Sequence, residues 1–277
     1  EEAEALLGLL LRLKANAHRV LDDDTASSAV GLGLFPAACL LNHGCVPTSL
    51  MHYREGGRVM HVRALAPIEA GEVVTYAYLA EEQLCAPYKE RAALLQAAHY
   101  FAPPRSVALE ALETPPHLPA AEVASLAVRV RAAAERAAAA AKEGDAEAAR
   151  AAVAELATLL PEGQAGEGGQ RGQQGRQAGG VAAQLPGTHW LRLDAHAATL
   201  GAARVLGEPG LIARSALALL QAREAALPRG TPQLATLYAS HAAGLHRLIR
   251  ASRVPTHGQA GAAAQAAQAL GAAARIR

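Results

Sequence analysis

Aromatic side chains are scarce, with Phe, Trp and Tyr supplying 3% of 277 residues against a hydrophobic fraction of 51% in which alanine dominates. With so few rings each buried position contributes little area, and a chain relying on small side chains is expected to be largely helical. Net charge is also nearly absent, because 26 Lys+Arg offset 25 Asp+Glu to leave +1. Such a balance provides no field to steer nucleic acid or anionic lipid, so no direct nucleic-acid partner is expected and a charged partner must be recognised locally. No apolar run approaches the roughly 18 residues needed to cross a bilayer, and the leucine-rich start, Leu6 to Leu13, follows acids rather than a basic segment, so no membrane partner is expected. Cysteine is limited to Cys39, Cys45 and Cys85, an odd number without a Cys-x-x-Cys pair. That argues against a disulfide framework and against a self-contained zinc site, and favours a reducing compartment. The chain reads as soluble and intracellular, in the cytoplasm and/or nucleus. It begins at Glu1 rather than methionine, so an upstream segment is expected.

What is present is unevenly distributed. Both phenylalanines, all three cysteines, both methionines and five of the six tyrosines precede Ala102, whereas the remainder is alanine-rich and leucine-periodic. Two domains follow from this shift, residues 1–101 and 118–277, joined by a Pro-rich connector over 102–117.

In the first domain, Ala3 to Ala17 places Leu6, Leu9, Leu10 and Leu13 on one helical face and predicts a core helix. Asp22 to Asp24 with Thr25, Ser27 and Ser28 reads as a solvated loop. Thr48 to Arg54 and Arg58 to Ala64 are short β-prone runs around Glu55-Gly56-Gly57, and paired glycines supply the positive φ of a hairpin turn. A turn at Pro67 to Gly71 leads into a β-branched and aromatic strand, Glu72 to Tyr78, with Tyr78 at its end. The second domain reads as helices in series. They cover Ala120 to Lys142, a helix capped by Asp145 and running to Leu160, Thr188 to Leu206 closed by Gly207, Leu211 to Leu227, and a helix opened by Thr231-Pro232. Residues 161–187, rich in Gly and Gln, are read as a flexible insertion, and the tail from Gln259 as low-complexity. The repeat of helix pairs is tetratricopeptide-like.

Two stretches invite chemistry. Gly31-Leu32-Gly33-Leu34-Phe35-Pro36 has two of the three glycines of a dinucleotide loop, but Pro36 stands where phosphate-binding N–H groups are needed. A turn in which backbone approaches another segment closely is the better account. In Leu41-Asn42-His43-Gly44-Cys45-Val46-Pro47, His43 and Cys45 read alone suit a hydrogen-bonded core histidine and a small buried hydrophobe. A metal-ligand reading finds no further ligands at matching spacing.

Taken in order, Asn16-Ala17-His18, Gly31 to Pro36, Leu41 to Pro47, the hairpin, Ile68-Glu69-Ala70-Gly71-Glu72-Val73-Val74-Thr75-Tyr76-Ala77-Tyr78, Arg91-Ala92-Ala93-Leu94 and Tyr100-Phe101 resemble the C-terminal half of a SET domain. The likeness is greatest to the SET-and-MYND family of protein-lysine methyltransferases, whose C-terminal superhelix the second half resembles. The resemblance implies an α+β protein, a partial SET β-fold followed by an all-helical TPR-like domain. It implies S-adenosylmethionine as cofactor, held by Asn16, Asn42 and His43, with Tyr78 as the catalytic tyrosine. Tyr100 or Phe101 would fill the aromatic position beside the adenine and the lysine channel. The partners implied are a protein substrate with a target lysine, histone or non-histone, and a peptide on the helical domain.

The sequence departs from the family in three places. Pro47 is followed by Thr48 where the family has Asn, and Phe101 runs into Ala102-Pro103-Pro104 where the family places a Cys-x-Cys-x-x-Cys cluster. Cys45 is therefore expected to lack zinc partners, and no metal site is expected in this chain. The N-terminal SET strands and the MYND module have no counterpart before Glu1, so an inactive SET remnant serving as an interaction scaffold is the alternative reading.

Overall fold

The computed structural model describes residues 1–21, 29–54, 57–161, 180–227, 231–251 and 256–276. The protein is α+β, with three two-stranded sheets among the described residues near its start and helices thereafter. It divides into two compact units, the first built on Glu1–Ser106 and the second on Val107–Ala226 together with the two helices that follow.

The first unit opens with helix α1 (Glu2–Asn16), whose Glu2 and Glu4 in the first turn and Lys14 in the last suit the helix dipole. The expected core helix is helical but buries no residue: Leu6, Leu7, Leu9, Leu10 and Leu11 are all more than half exposed. Periodicity fixes which side chains share a face, not whether anything covers that face. Strands β1 (Ala17–Leu21) and β2 (Ala29–Leu34) then pair antiparallel, with Ala17 opposite Leu34 and His18 opposite Gly33. The expected turn at Gly31–Pro36 is therefore a strand, although the close approach is present at Gly33, where a Cβ would lie 2.6 Å from the Phe35 ring. The acidic loop expected at residues 22–28 falls outside the described residues.

The hairpin is where the paired glycines put it. Strands β4 (Ser49–Arg54) and β5 (Val59–Ala64) run antiparallel from Ser49 opposite Ala64 to Arg54 opposite Val59. Gly57 has φ +85°, and a Cβ there would come 2.2 Å from Cγ1 of the buried Val20, so glycine serves both turn and packing. Alternation then sorts the hairpin's faces. Tyr53 turns toward Phe35, with ring centroids 5.8 Å apart, while His52 and His61 stack across the strands on the other face at 5.0 Å.

Between these sheets, β3 (Asn42–His43) pairs parallel with β6 (Thr75–Tyr76), Asn42 beside Thr75 and His43 beside Tyr76. The strand expected over Glu72 to Tyr78 is thus only two residues long, because its partner is no longer, and Tyr78 lies just beyond its end. Helices α2 (Glu81–Leu84) and α3 (Tyr88–His99) follow, and Tyr100 closes α3 in the left-handed region at φ 64°.

The second unit begins within the Pro-rich stretch, where a 3-10 turn over Val107–Leu112 buries Leu109 and Leu112 completely. Helices α4 (Ala120–Glu143) and α5 (Ala146–Leu159) are separated by Gly144 in the left-handed region, and the Asp145 carboxylate accepts from the Glu147 and Ala148 amides at 3.0 Å. Part of the expected insertion is packed: α6 (Gly180–Gln184) buries Val181, and Leu185 is buried beside it. The Arg192 guanidinium ties this return by donating to the carbonyls of Ala182, Leu185 and Pro161. Residues 162–179 of that expectation lie outside the described residues. Helices α7 (Trp190–Leu206), α8 (Pro209–Ala226), α9 (Pro232–Ala251) and α10 (Thr256–Ile276) complete the series, each packing on its neighbour in sequence. The alanine-rich tail is thus a helix, as alanine's propensity allows. Among the described residues no helix is long and apolar enough to cross a membrane.

Candidate functional site

The site grows from the β3–β6 pairing. Parallel pairing of two such short segments leaves few backbone bonds, and side chains supply the rest. The Gly44 amide extends the ladder by donating to the Tyr76 carbonyl at 3.0 Å, and only glycine fits, since a Cβ would sit 2.5 Å from Thr75 Oγ1. Thr48 and Ser49 close the far side on Thr75, the Ser49 hydroxyl donating to its carbonyl at 2.9 Å. Thr48 is the residue that departs from the family pattern.

This staple brings His43 to Tyr78. The Tyr78 amide donates to His43 Nδ1 at 3.0 Å, and the Tyr78 hydroxyl donates to the Leu41 carbonyl at 2.8 Å. An Nδ1 that accepts carries no proton, so His43 is the neutral Nε2–H tautomer, and Nε2 meets Cys45 Sγ at 3.1 Å. Burial lowers the His43 pKa to about 4, with His99 and the Arg91 guanidinium adding to the effect. The Tyr78 phenol is held above its ordinary value by burial and by Cys39, so it remains a hydroxyl at neutral pH.

An aromatic wall surrounds Tyr78. Its ring lies 4.7 Å from His99, 4.8 Å from Tyr76, 5.4 Å from His43 and 6.2 Å from Phe101, the last edge-on. Of the two candidates for the aromatic position, Phe101 is therefore the one beside His43 and Tyr78. Tyr100 is 74% exposed, with its backbone in the left-handed region, and among the described residues its ring makes no contact with this cluster.

The asparagines stand apart. Asn42 is exposed at the start of the ladder, while the Asn16 carboxamide donates back to Arg12 in its own helix at 2.8 Å. Asn16 reaches the cluster through its backbone, its carbonyl accepting from Cys39 Sγ at 3.2 Å, and His18 next along touches the Tyr76 hydroxyl at 3.5 Å. S-adenosylmethionine presents an adenine, a cation and a zwitterionic amino-acid end. Phe101 offers an apolar face and Asn42 an exposed donor and acceptor, which fit that chemistry; the Asn16 amide, committed to Arg12, does not serve it in this conformation.

Sequence reasoning missed Arg91 and His99 as individual contributors. Arg91 is 2% exposed, donates to the Leu84 and Ala86 carbonyls, and its charge and hydrogen bond oppose the rise that burial imposes on the Cys45 thiol. Its signal was a basic residue four positions before the buried Leu95 on an otherwise apolar helical stripe. His99 was legible only as the residue next to Tyr100-Phe101. For zinc the surroundings of Cys45 are wrong, since its sulfur is engaged by His43 and Arg91. Among the described residues no three His, Cys, Asp or Glu side chains gather as a metal site.

No protein-family profile matches the chain. Individual proteins do. N-lysine methyltransferase SMYD2-B of Danio rerio is 33% identical over 98 residues, 35% of this chain and 21% of that protein. N-lysine methyltransferase SMYD2 of Gallus gallus is 31% identical over 97 residues, and that of Homo sapiens 29% over 98, each again covering 35% of this chain and 21% of the relative. The chain spans about a fifth of the length of the curated relatives it matches. Over about a third of its length, then, it is related to N-lysine methyltransferases of this kind.

Proposed function

We propose that residues 1–101 form the acceptor side of an S-adenosylmethionine-dependent protein-lysine methyltransferase site, with the helices from 118 onward as a partner-binding domain. The observation that carries this reading is the juxtaposition of His43 and Tyr78 beside the β3–β6 ladder, where the Tyr78 amide donates to His43 Nδ1 and the Tyr78 hydroxyl to the Leu41 carbonyl. When bound, the cofactor supplies an electrophilic methyl on a sulfonium. The lysine amine would take that methyl with its lone pair, the sulfonium becoming a neutral thioether as the C–S bond gives way to the N–C bond. Such an in-line displacement depends chiefly on alignment. The Tyr78 hydroxyl donates its hydrogen bond to the Leu41 carbonyl, so its oxygen lone pairs are free to accept from the amine and aim the amine's own pair. The rings of His99, Phe101 and Tyr76 exclude water from that side and favour the neutral amine by desolvation. Asn42, His43 and Phe101 would hold the cofactor.

Calorimetric titration with S-adenosylmethionine, then methyl transfer to a panel of lysine peptides from a tritiated methyl donor, tests the reading. Cofactor binding and transfer that disappears in Tyr78→Phe are expected; absence of cofactor binding overturns it. One observation favours a second reading, a non-catalytic scaffold: the Asn16 carboxamide donates within its own helix. A peptide partner retained equally by the wild-type chain and by Tyr78→Phe, with no transfer in either, would establish the scaffold instead.

A further inference from the structure

Within the helical unit, α5, α7 and α8 enclose a cleft of about 420 Å³, a size that suits a small organic ligand. Val153, Leu156, Leu160 and Leu211 give it an apolar lining. Its polar groups are few and of one character. Arg192, His196, Thr199, Arg214 and Ser215 line it, and among the described residues no carboxylate does.

Two of these groups are placed for a ligand. Ser215 is 3% exposed, and its hydroxyl makes no hydrogen bond among the described residues although it lines the cleft. Its oxygen is not sealed off in the core but opens on the cleft, where water or a ligand supplies its partner. Arg214 is exposed, and its guanidinium lies 3.4 Å from where a Cβ on Gly210 would stand, so its head group folds over the first turn of α8. The Gly210 and Leu211 amides precede the first bond of that helix, from the Ile212 amide to the Glu208 carbonyl at 3.1 Å. The positive end of an 18-residue helix and a guanidinium therefore meet at the mouth of an apolar slot.

We propose that this cleft binds a small amphipathic monoanion, an acyl chain ending in a carboxylate. The carboxylate sits on Arg214 and accepts from the Ser215 hydroxyl, and the chain lies along Val153, Leu156 and Leu160. A neutral head group would forgo the charge-assisted bonds, and a cationic one would be repelled by Arg192 and Arg214.

The test is calorimetric titration of the full chain with octanoate, beside octanol and octylamine, which keep the tail, and acetate, which keeps the head. Octanoate is expected to bind about tenfold or more tightly than each control, and Arg214→Gln to remove about tenfold of its affinity. Ser215→Ala is expected to weaken octanoate severalfold without affecting octanol, and circular dichroism of both variants should match the wild type. Octanol equal to octanoate would show an apolar slot alone, and acetate equal to octanoate an adventitious ion only. Either result, no octanoate binding, or an Arg214→Gln variant in the wild-type fold with unchanged affinity overturns the proposal.

Discussion

Thr48 and Thr75 hold each other in both directions: the Thr48 amide donates to Thr75 Oγ1 at 3.2 Å, and the Thr75 amide donates to Thr48 Oγ1 at 2.9 Å. A hydroxyl that both accepts and donates is what this exchange requires, and threonine supplies it where the family pattern has asparagine. Thr48→Val keeps the shape and removes the oxygen, so it is expected to cost about 1–2 kcal/mol. Thr48→Ser keeps the oxygen and is expected to cost less than half of that. Urea denaturation of the two variants gives the comparison; equal losses would mean that packing, not the hydroxyl, matters there.

Gly44 stands against the same threonine. Because a Cβ would meet Thr75 Oγ1 at 2.5 Å, Gly44→Ala must push β6 away from β3, at an expected cost of about 1–3 kcal/mol. Amide exchange at Tyr78 reads the displacement directly, since that amide is protected by His43. Unchanged exchange in the alanine variant would refute the coupling.

Tyr78→Phe separates architecture from chemistry. Losing the bond to Leu41 is expected to lower stability by about 1 kcal/mol, and the ring contacts with His99 and Phe101 remain. Methyl transfer by the variant is expected to fall at least about a hundredfold while cofactor affinity stays within about twofold. Retained transfer would remove Tyr78 from the reaction.

Two histidines make stability depend on acid. His43 and the fully buried His189 both have pKa values lowered to about 4, chiefly by burial, with Arg192 adding to the effect at His189. Both accept a backbone amide on Nδ1, from Tyr78 and Leu191 respectively, and protonation there would abolish the bond. Unfolded, each titrates near its ordinary 6.5. As pH falls through 6.5 the unfolded chain takes up protons that the folded chain refuses, so stability is full above that point and declines down to about 4. Denaturant midpoints at pH 7.5, 5.5 and 4.5 are expected to fall in that order, and less steeply in His43→Gln; a flat series would contradict the tautomer assignment.

The elements most readable beforehand were those whose signal is local. The β4–β5 hairpin follows from its glycines, the α5 start from Asp145 and the α7 end from Gly207, since each depends on one residue's backbone or capping chemistry. The stripe of Leu6, Leu9, Leu10 and Leu13 is not core, because burial is decided by what lies opposite. The same holds for β6, whose length is dictated by β3. Around the site, His43 and Tyr78 could be named from their motifs. The choice between Tyr100 and Phe101 could not, since it turns on a left-handed residue that sequence favours only for glycine or asparagine. Arg91 remained hidden because a buried cation is recognisable only once its carbonyl partners are in place.

The two-residue ladder from Asn42 to Tyr76 also has a consequence in time. Its halves are separated by the whole β4–β5 hairpin, so joining them means closing a long loop for a small reward in backbone bonds. A nascent chain that has emerged only as far as Met60 holds half of the pair and no Tyr78 for His43 to meet. The His43–Tyr78 contact is therefore acquired late and all at once, and any event that parts those few backbone atoms takes the surrounding ring cluster with it.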